Sequence, residues 1–104
     1  DQSVIAGIGN IYRTELLWRQ AIHPNVTGRD LDISQLKDLW DDARTLLKLG
    51  TKNNKIITRF DKVTGGYNDR LNIYKKKQCP KCQGAISQIV ISGRIAYFCG
   101  SCQS

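Results

Sequence analysis

The 104-residue sequence has no methionine, only two prolines and a single histidine. Nor does any stretch of it approach the ~20 consecutive apolar residues that cross a bilayer, so no membrane partner is expected. The missing methionine, and an opening on Asp1-Gln2-Ser3 that runs straight into apolar residues, lead to the expectation that this is the C-terminal part of a larger protein or a truncated gene product. No signal peptide stands at the supplied start, which disfavours a secreted disulfide framework. A cytoplasmic chain is expected, associated with the nucleoid if bacterial. Pro24 and Pro80 are internal, so their nitrogens are acylated and neither can serve as an amine nucleophile. The lone histidine, His23, precedes Pro24 and reads as a turn residue rather than a metal ligand.

Cysteine is scarce but patterned. The four present form Cys79-Pro80-Lys81-Cys82 and Cys99-Gly100-Ser101-Cys102, two C-x-x-C pairs sixteen residues apart. This spacing suits a four-thiolate zinc site, with each turn offering two ligands to one ion. One structural Zn2+ bound by Cys79, Cys82, Cys99 and Cys102 is expected, because a chain this short builds only a modest core. Two disulfides, or one redox dithiol, are the alternatives.

Charge is unevenly distributed within a net of +7. Residues 1–50 carry six Lys/Arg against seven Asp/Glu, and residues 51–104 carry ten against two. A basic C-terminal half beside a zinc module points to a polyanionic partner.

Residues 4–9 are apolar and punctuated by Gly7 and Gly9, and they lead to Asn10 as a candidate N-cap. A helix is expected from Asn10 to about Gln20, with Ile11, Glu15, Trp18 and Ile22 on one stripe. Within that stripe Glu15 could cap backbone amides, hold a basic partner or lie at an edge. A second helix follows Asp32, with Gln35 completing a capping box. Leu36, Leu39, Trp40, Ala43, Leu46 and Leu47 form its apolar stripe, and Gly50 is its expected stop. The two helices are expected to pack through Trp18 and Trp40. Residues 51–74 read as a connector containing Ile56, Ile57 and Phe60, a turn at Thr64-Gly65-Gly66, at most one short helix, and Leu71-Asn72-Ile73-Tyr74 as a short strand. Ser87–Ile91 and Ile95–Phe98 are rich in strand formers around Ser92-Gly93, giving a hairpin with Arg94 at its tip.

Two of these stretches resemble one known family. Val4-Ile-Ala-Gly-Ile-Gly-Asn-Ile-Tyr12, continuing through Glu15-Leu16-Leu17 and Ile22-His23-Pro24, is similar to the helix–two-turn–helix domain of the Fpg/Nei DNA glycosylases. Cys79 through Ile89-Val-Ile-Ser-Gly-Arg94 to Cys102-Gln103 is similar to that family's C-terminal zinc finger. Ile73-Tyr74-Lys75-Lys76 resembles the endonuclease VIII-like branch more than the Tyr-Gly-Arg form of Fpg. The fold implied is mainly α with a small β zinc ribbon: a helix–two-turn–helix domain over 1–50, the connector over 51–74 and a four-cysteine zinc-finger hairpin over 75–104.

The resemblance also implies roles. Enzymes of this family flip a damaged base from duplex DNA, cleave its glycosidic bond and nick the backbone by elimination. Asn10 corresponds to a phosphate-contacting asparagine, and Arg94 to the arginine that grips phosphate near the flipped nucleotide. Gly9, Lys75 and Lys76 are further expected DNA contacts. A helix N-terminus at Gly9-Asn10 would seat a phosphate, and an arginine fork would clamp another. The family's catalytic group is an N-terminal proline followed by an acidic residue, whereas this chain opens on Asp1. The expected partners are therefore damaged or abasic double-stranded DNA and the missing N-terminal catalytic domain, with the chain a monomer that does not excise bases alone. A stand-alone zinc ribbon for RNA or protein, and a lyase using Lys75, Lys76 or Lys77, are the competing readings.

Overall fold

The computed structural model describes residues 2–26, 28–59, 66, 68–91 and 93–103, with backbone alone over residues 2–8, 28 and 68. Phe60, Thr64, Gly65 and Ser92, assigned above to the connector and the hairpin turn, lie outside the described residues. Helix α1 spans Gln2–Arg19 and helix α2 spans Ile33–Asn53, with a 3-10 turn at Gly28–Asp30 between them. A second 3-10 turn covers Asn68–Arg70 and precedes the hairpin of β1, Ile86–Ile91, and β2, Arg94–Cys99. The strands pair antiparallel, from Ile86 opposite Cys99 to Ile91 opposite Arg94. Gly93 supplies the positive φ of 77° that a two-residue hairpin loop requires.

Helix α1 corrects the sequence reading at its start. Asn10 does not cap it, because the helix runs unbroken through Gly7 and Gly9 from Gln2. Glycine costs a helix only about 1 kcal/mol per residue, which tertiary packing overrides where proline would not allow it. The apolar stripe is as expected, with Ile11 and Ile22 buried and Glu15 fully enclosed.

At the N-terminus of α2, the Asp32 side chain accepts from the Gln35 amide at 2.7 Å and Gln35 Oε1 accepts from the Asp32 amide at 3.0 Å. Gly50 is not the stop: the helix continues to Asn53 and closes at Asn54 in the left-handed region, φ 55°. Gly50 instead permits close approach, since a β-carbon there would meet Tyr12 Oη at 2.7 Å and Lys55 O at 2.8 Å.

The helices do not pack through their two tryptophans. Trp40 is 65% exposed, and Ile33, Leu36 and Leu47 on the same side of α2 are exposed too. Leu46 and Gly50 face inward, and a bidentate ion pair joins α1 to α2, with Arg19 Nε and Nη2 each 2.8 Å from a carboxylate oxygen of Asp42. Burial alone would raise the Asp42 carboxyl, but its bonds from Arg19 and Gln20 hold it below its ordinary value.

The expected strand at 71–74 does not form; those residues are turns and bends. They are nevertheless central, with Ile57, Thr58, Leu71 and Ile73 all fully buried. Backbone pairing is irregular here, the Thr58 and Arg59 amides both donating to Arg70 O at 2.9 and 3.1 Å. Gln103 fastens the hairpin to the helices: its amide donates to Ile22 O at 2.8 Å while its Oε1 accepts from the Cys99 amide at 2.8 Å.

Candidate metal centre and nucleic-acid interface

The two C-x-x-C turns meet. All four Sγ atoms of Cys79, Cys82, Cys99 and Cys102 lie within 4.8 Å of one another, with Cys82 to Cys99 at 3.4 Å and Cys79 to Cys102 at 3.9 Å. A tetrahedral ion with metal–sulfur bonds of ~2.3 Å places its ligands about 3.8 Å apart, so the cluster has the dimensions of a metal centre. Its outer shell is also built. The Trp18 indole donates to Cys79 Sγ at 3.3 Å and the Gly84 amide to Cys82 Sγ at 3.4 Å. Gln83, at φ 65°, turns the first knuckle so that its amide bonds Cys79 O at 2.9 Å.

Burial would raise the Cys79 thiol, but the Cys82 amide, the Trp18 indole and the Lys81 amide bring it down to about 6. Cys102 is pushed up to about 12, chiefly by its bond with Cys82, then by burial and by the neighbouring Cys99 and Cys79 sulfurs. One sulfur is thus ready to ionise while the group as a whole resists carrying several charges, and a bound cation relieves that conflict. The donor set fits a metal ion.

The second site lies where α1 meets the hairpin tip. Asn10, midway along α1, donates from Nδ2 to Ile95 O at 3.1 Å, and its Oδ1 accepts from Arg13 Nη2 at 3.1 Å. Arg94 opens β2 beside Gly93 and is exposed. Lys75 sits in the left-handed region at φ 57°, with its ammonium 5.7 Å from the Tyr74 ring centroid. The Tyr74 and Tyr97 rings meet edge to face, 5.3 Å between centroids.

Asn10, Tyr74, Lys75, Gly93, Arg94, Ile95 and Tyr97 line one cavity of about 260 Å³. Its lining carries two cations and no carboxylate. Three of the expected contacts, Asn10, Lys75 and Arg94, therefore converge from three separate segments. Gly9 is exposed beside Asn10, and Lys76 is half-buried, its amide donating to Ile73 O at 3.0 Å; neither lines the cavity. Because Asn10 lies inside a helix, the amides at 9 and 10 are not those of a helix N-terminus. An anion here would meet the Asn10 side chain instead. His23 lines neither this cavity nor the cysteine cluster: its Nδ1 accepts from the Asn25 amide at 3.0 Å and its ring lies 4.6 Å from that of Phe98.

Sequence reasoning missed Tyr74 and Tyr97 as the walls of this cavity. Strand alternation puts Tyr97 on the same face of β2 as Ile95, the one available signal. It also left open the role of Glu15, which the structure settles: its carboxylate caps backbone amides, taking those of Asn72, Ile73 and Tyr74 at 2.6, 2.7 and 2.9 Å.

A family model of the formamidopyrimidine-DNA glycosylase H2TH domain matches residues 1–62. The chain belongs to that family. Among its curated relatives are a formamidopyrimidine-DNA glycosylase of Chloroflexus aggregans, 38% identical over 99% of this chain, and Endonuclease 8 1 of Mycobacterium tuberculosis, 35% identical over 100%. This Fpg/Nei chain spans 40% and 42% of those relatives' lengths. Lactococcus lactis Fpg, solved in complex with DNA containing an abasic site, superimposes with a TM-score of 0.74 at 31% identity, covering 91% of this chain and 36% of that one. MutM in complex with DNA containing carbocyclic 8-oxo-G superimposes equally well, TM-score 0.74 at 31% identity, covering 91% and 35%. The fold of this chain is mainly α with a small hairpin carrying the four-cysteine cluster, matching the family's DNA-binding C-terminal portion. Among the described residues no helix is long and apolar enough to cross a membrane.

Proposed function

We propose that this chain is the DNA-gripping portion of a bifunctional glycosylase and AP lyase of base-excision repair, held together by one structural zinc ion. The carrying observation is the convergence of Asn10, Lys75 and Arg94 on a single cavity that no carboxylate lines. Arg94 offers a planar fork to a phosphate, Lys75 a second charge, and Asn10 the remaining hydrogen of its amide nitrogen. Gly9 and Lys76, next to those residues in sequence, flank the track of the backbone. Two grips on one strand steady a duplex kinked around an extruded nucleotide, which is the form of damaged or abasic DNA that this surface suits.

The four thiolates would hold zinc with no open coordination position, so the ion supplies rigidity and no activated water. Its place beneath the hairpin fixes the base of β2, whose other end carries Arg94. The grip serves catalysis only in company: the Schiff-base amine and its acidic neighbour would come from an N-terminal catalytic domain. These 104 residues supply the grip, as a monomer.

Competition between an abasic duplex and a structured RNA of equal charge tests this reading. The duplex should win at every salt concentration. Preference for the RNA would favour a stand-alone zinc ribbon instead. Borohydride treatment with abasic DNA should trap no covalent adduct, and an adduct would mark a lysine lyase.

A further inference from the structure

Glu15 is fully buried, and its carboxylate does not face the phosphate cavity. It accepts four hydrogen bonds: Oε1 from the Asn72 amide and the Thr58 hydroxyl, Oε2 from the Ile73 and Tyr74 amides. A helix residue thereby gathers three successive amides of a segment that forms no strand and no helix of its own. The next residue is Lys75, whose backbone takes the left-handed conformation that an L side chain rarely adopts. Glycine would hold this turn without strain, yet a lysine stands here, with its ammonium against Tyr74 and its side chain on the wall shared with Asn10 and Arg94. Strained backbone persists only where its surroundings over-determine it, and the Glu15 clamp is what fixes residues 72–74 immediately before.

We infer that Glu15 is a positioning residue for phosphate binding: by clamping the amides of 72–74 it forces Lys75 into its left-handed turn and so presents the ammonium to DNA. This rests on the phosphate-grip reading proposed above. It makes a prediction of unusual sign. Glu15→Gln removes a negative charge from a protein that binds a polyanion, so by charge alone the variant should bind more tightly. Loss of positioning predicts the reverse. A glutamine side chain has one acceptor oxygen and an NH2 group that opposes the remaining amide donors, so the clamp cannot be completed.

The test uses the zinc-loaded 104-residue chain and a fluorescent duplex containing a stable abasic analogue, titrated at several salt concentrations. Glu15→Gln, with far-UV CD and zinc stoichiometry unchanged, should weaken binding about tenfold, the loss of one charge-assisted contact. Its log–log salt slope should become shallower by about 0.9, the loss of one phosphate. Lys75→Gly, which keeps the turn and removes the amine, should do the same, and the double variant should lose nothing further. A purely structural role would lower the active fraction and leave the slope unmoved. Tighter binding, an unchanged slope, or additive losses in the double variant would overturn the inference. Should Glu15→Gln not fold, Thr58→Val removes one of the four bonds to the same carboxylate. It is expected to weaken binding two- to threefold with a shallower slope, and an unchanged slope there would be equally fatal. Asn10→Ala and Arg94→Ala run alongside. If neither weakens binding, the phosphate-grip reading fails; if both do and Glu15→Gln does not, only the positioning role fails.

Discussion

Removing the metal should unfasten the hairpin and leave the two helices in place. An isolated two-stranded hairpin is marginal in water, and between them β1 and β2 bury only Ala96 and Cys99 completely. Zinc contributes about 10–16 kcal/mol to small finger peptides, as much as the entire ~5–15 kcal/mol stability of an ordinary domain. If the cluster holds zinc as proposed, its loss would remove a term of that size from the segment that carries the four cysteines. Trp18 reports this directly, since its indole donates to Cys79 Sγ at 3.3 Å; a Trp40→Phe background silences the exposed second tryptophan. Chelation should shift Trp18 emission and abolish amide protection in 86–99 while 33–53 stays protected. Acid should act in the same direction. The metal-binding form of each cysteine is the thiolate, so protons compete with the ion at all four sulfurs and affinity falls progressively as pH is lowered, Cys79, held down to about 6, being the last to protonate. An emission spectrum and hairpin protection unchanged after stoichiometric zinc loss would refute this assignment of the cluster.

Other expectations concern the scaffold. Leu46→Ala, at a fully buried site, should cost about 2–5 kcal/mol in urea unfolding, whereas Trp40→Ser, on the exposed side of the same helix, should stay within about 0.5 kcal/mol. Gln103→Ala leaves the Cys99 amide and the Ile22 carbonyl without their partner and should lower stability by about 1–3 kcal/mol per unpaired group, read as a drop in denaturation midpoint. Gly50→Ala would ordinarily gain about 1 kcal/mol of helix propensity, but the new methyl strikes Lys55 O and Tyr12 Oη, so a net loss of about 1–3 kcal/mol is expected by thermal unfolding.

What could be read from the sequence was local chemistry. The C-x-x-C pairs declare their ligands by spacing, the Asp32–Gln35 box declares a helix start, and alternating strand formers around Gly93 declare a hairpin; each is confined to a few neighbouring residues. The errors arose where distant packing decides. Helical periodicity finds the stripe on α2 but does not say which part of it is covered, so Trp40 reads as core although it is exposed. Gly9-Asn10 has the composition of a helix start, yet the helix passes straight through it. Glu15 could be placed on its stripe but not given partners, because its amides lie 57 to 59 residues away. The segment around Ile57, Leu71 and Ile73 has no periodic pattern, since it is buried as irregular chain tied to Glu15 and Arg70. Within the candidate site, Asn10 and Arg94 came from the family likeness, while the aromatic walls and the left-handed Lys75 emerged only from the structure.

The grip itself is tested most directly by the salt dependence of DNA binding in the zinc-loaded chain, wild type against Arg94→Ala. Fluorescence anisotropy on an abasic-analogue duplex should show log Kd rising linearly with log salt in both. The variant should bind more weakly by about the same factor whatever the flanking sequence, with a slope shallower by about 0.9, one phosphate contact fewer. An Arg94→Ala protein with the affinity and slope of wild type would contradict the phosphate grip at the hairpin tip.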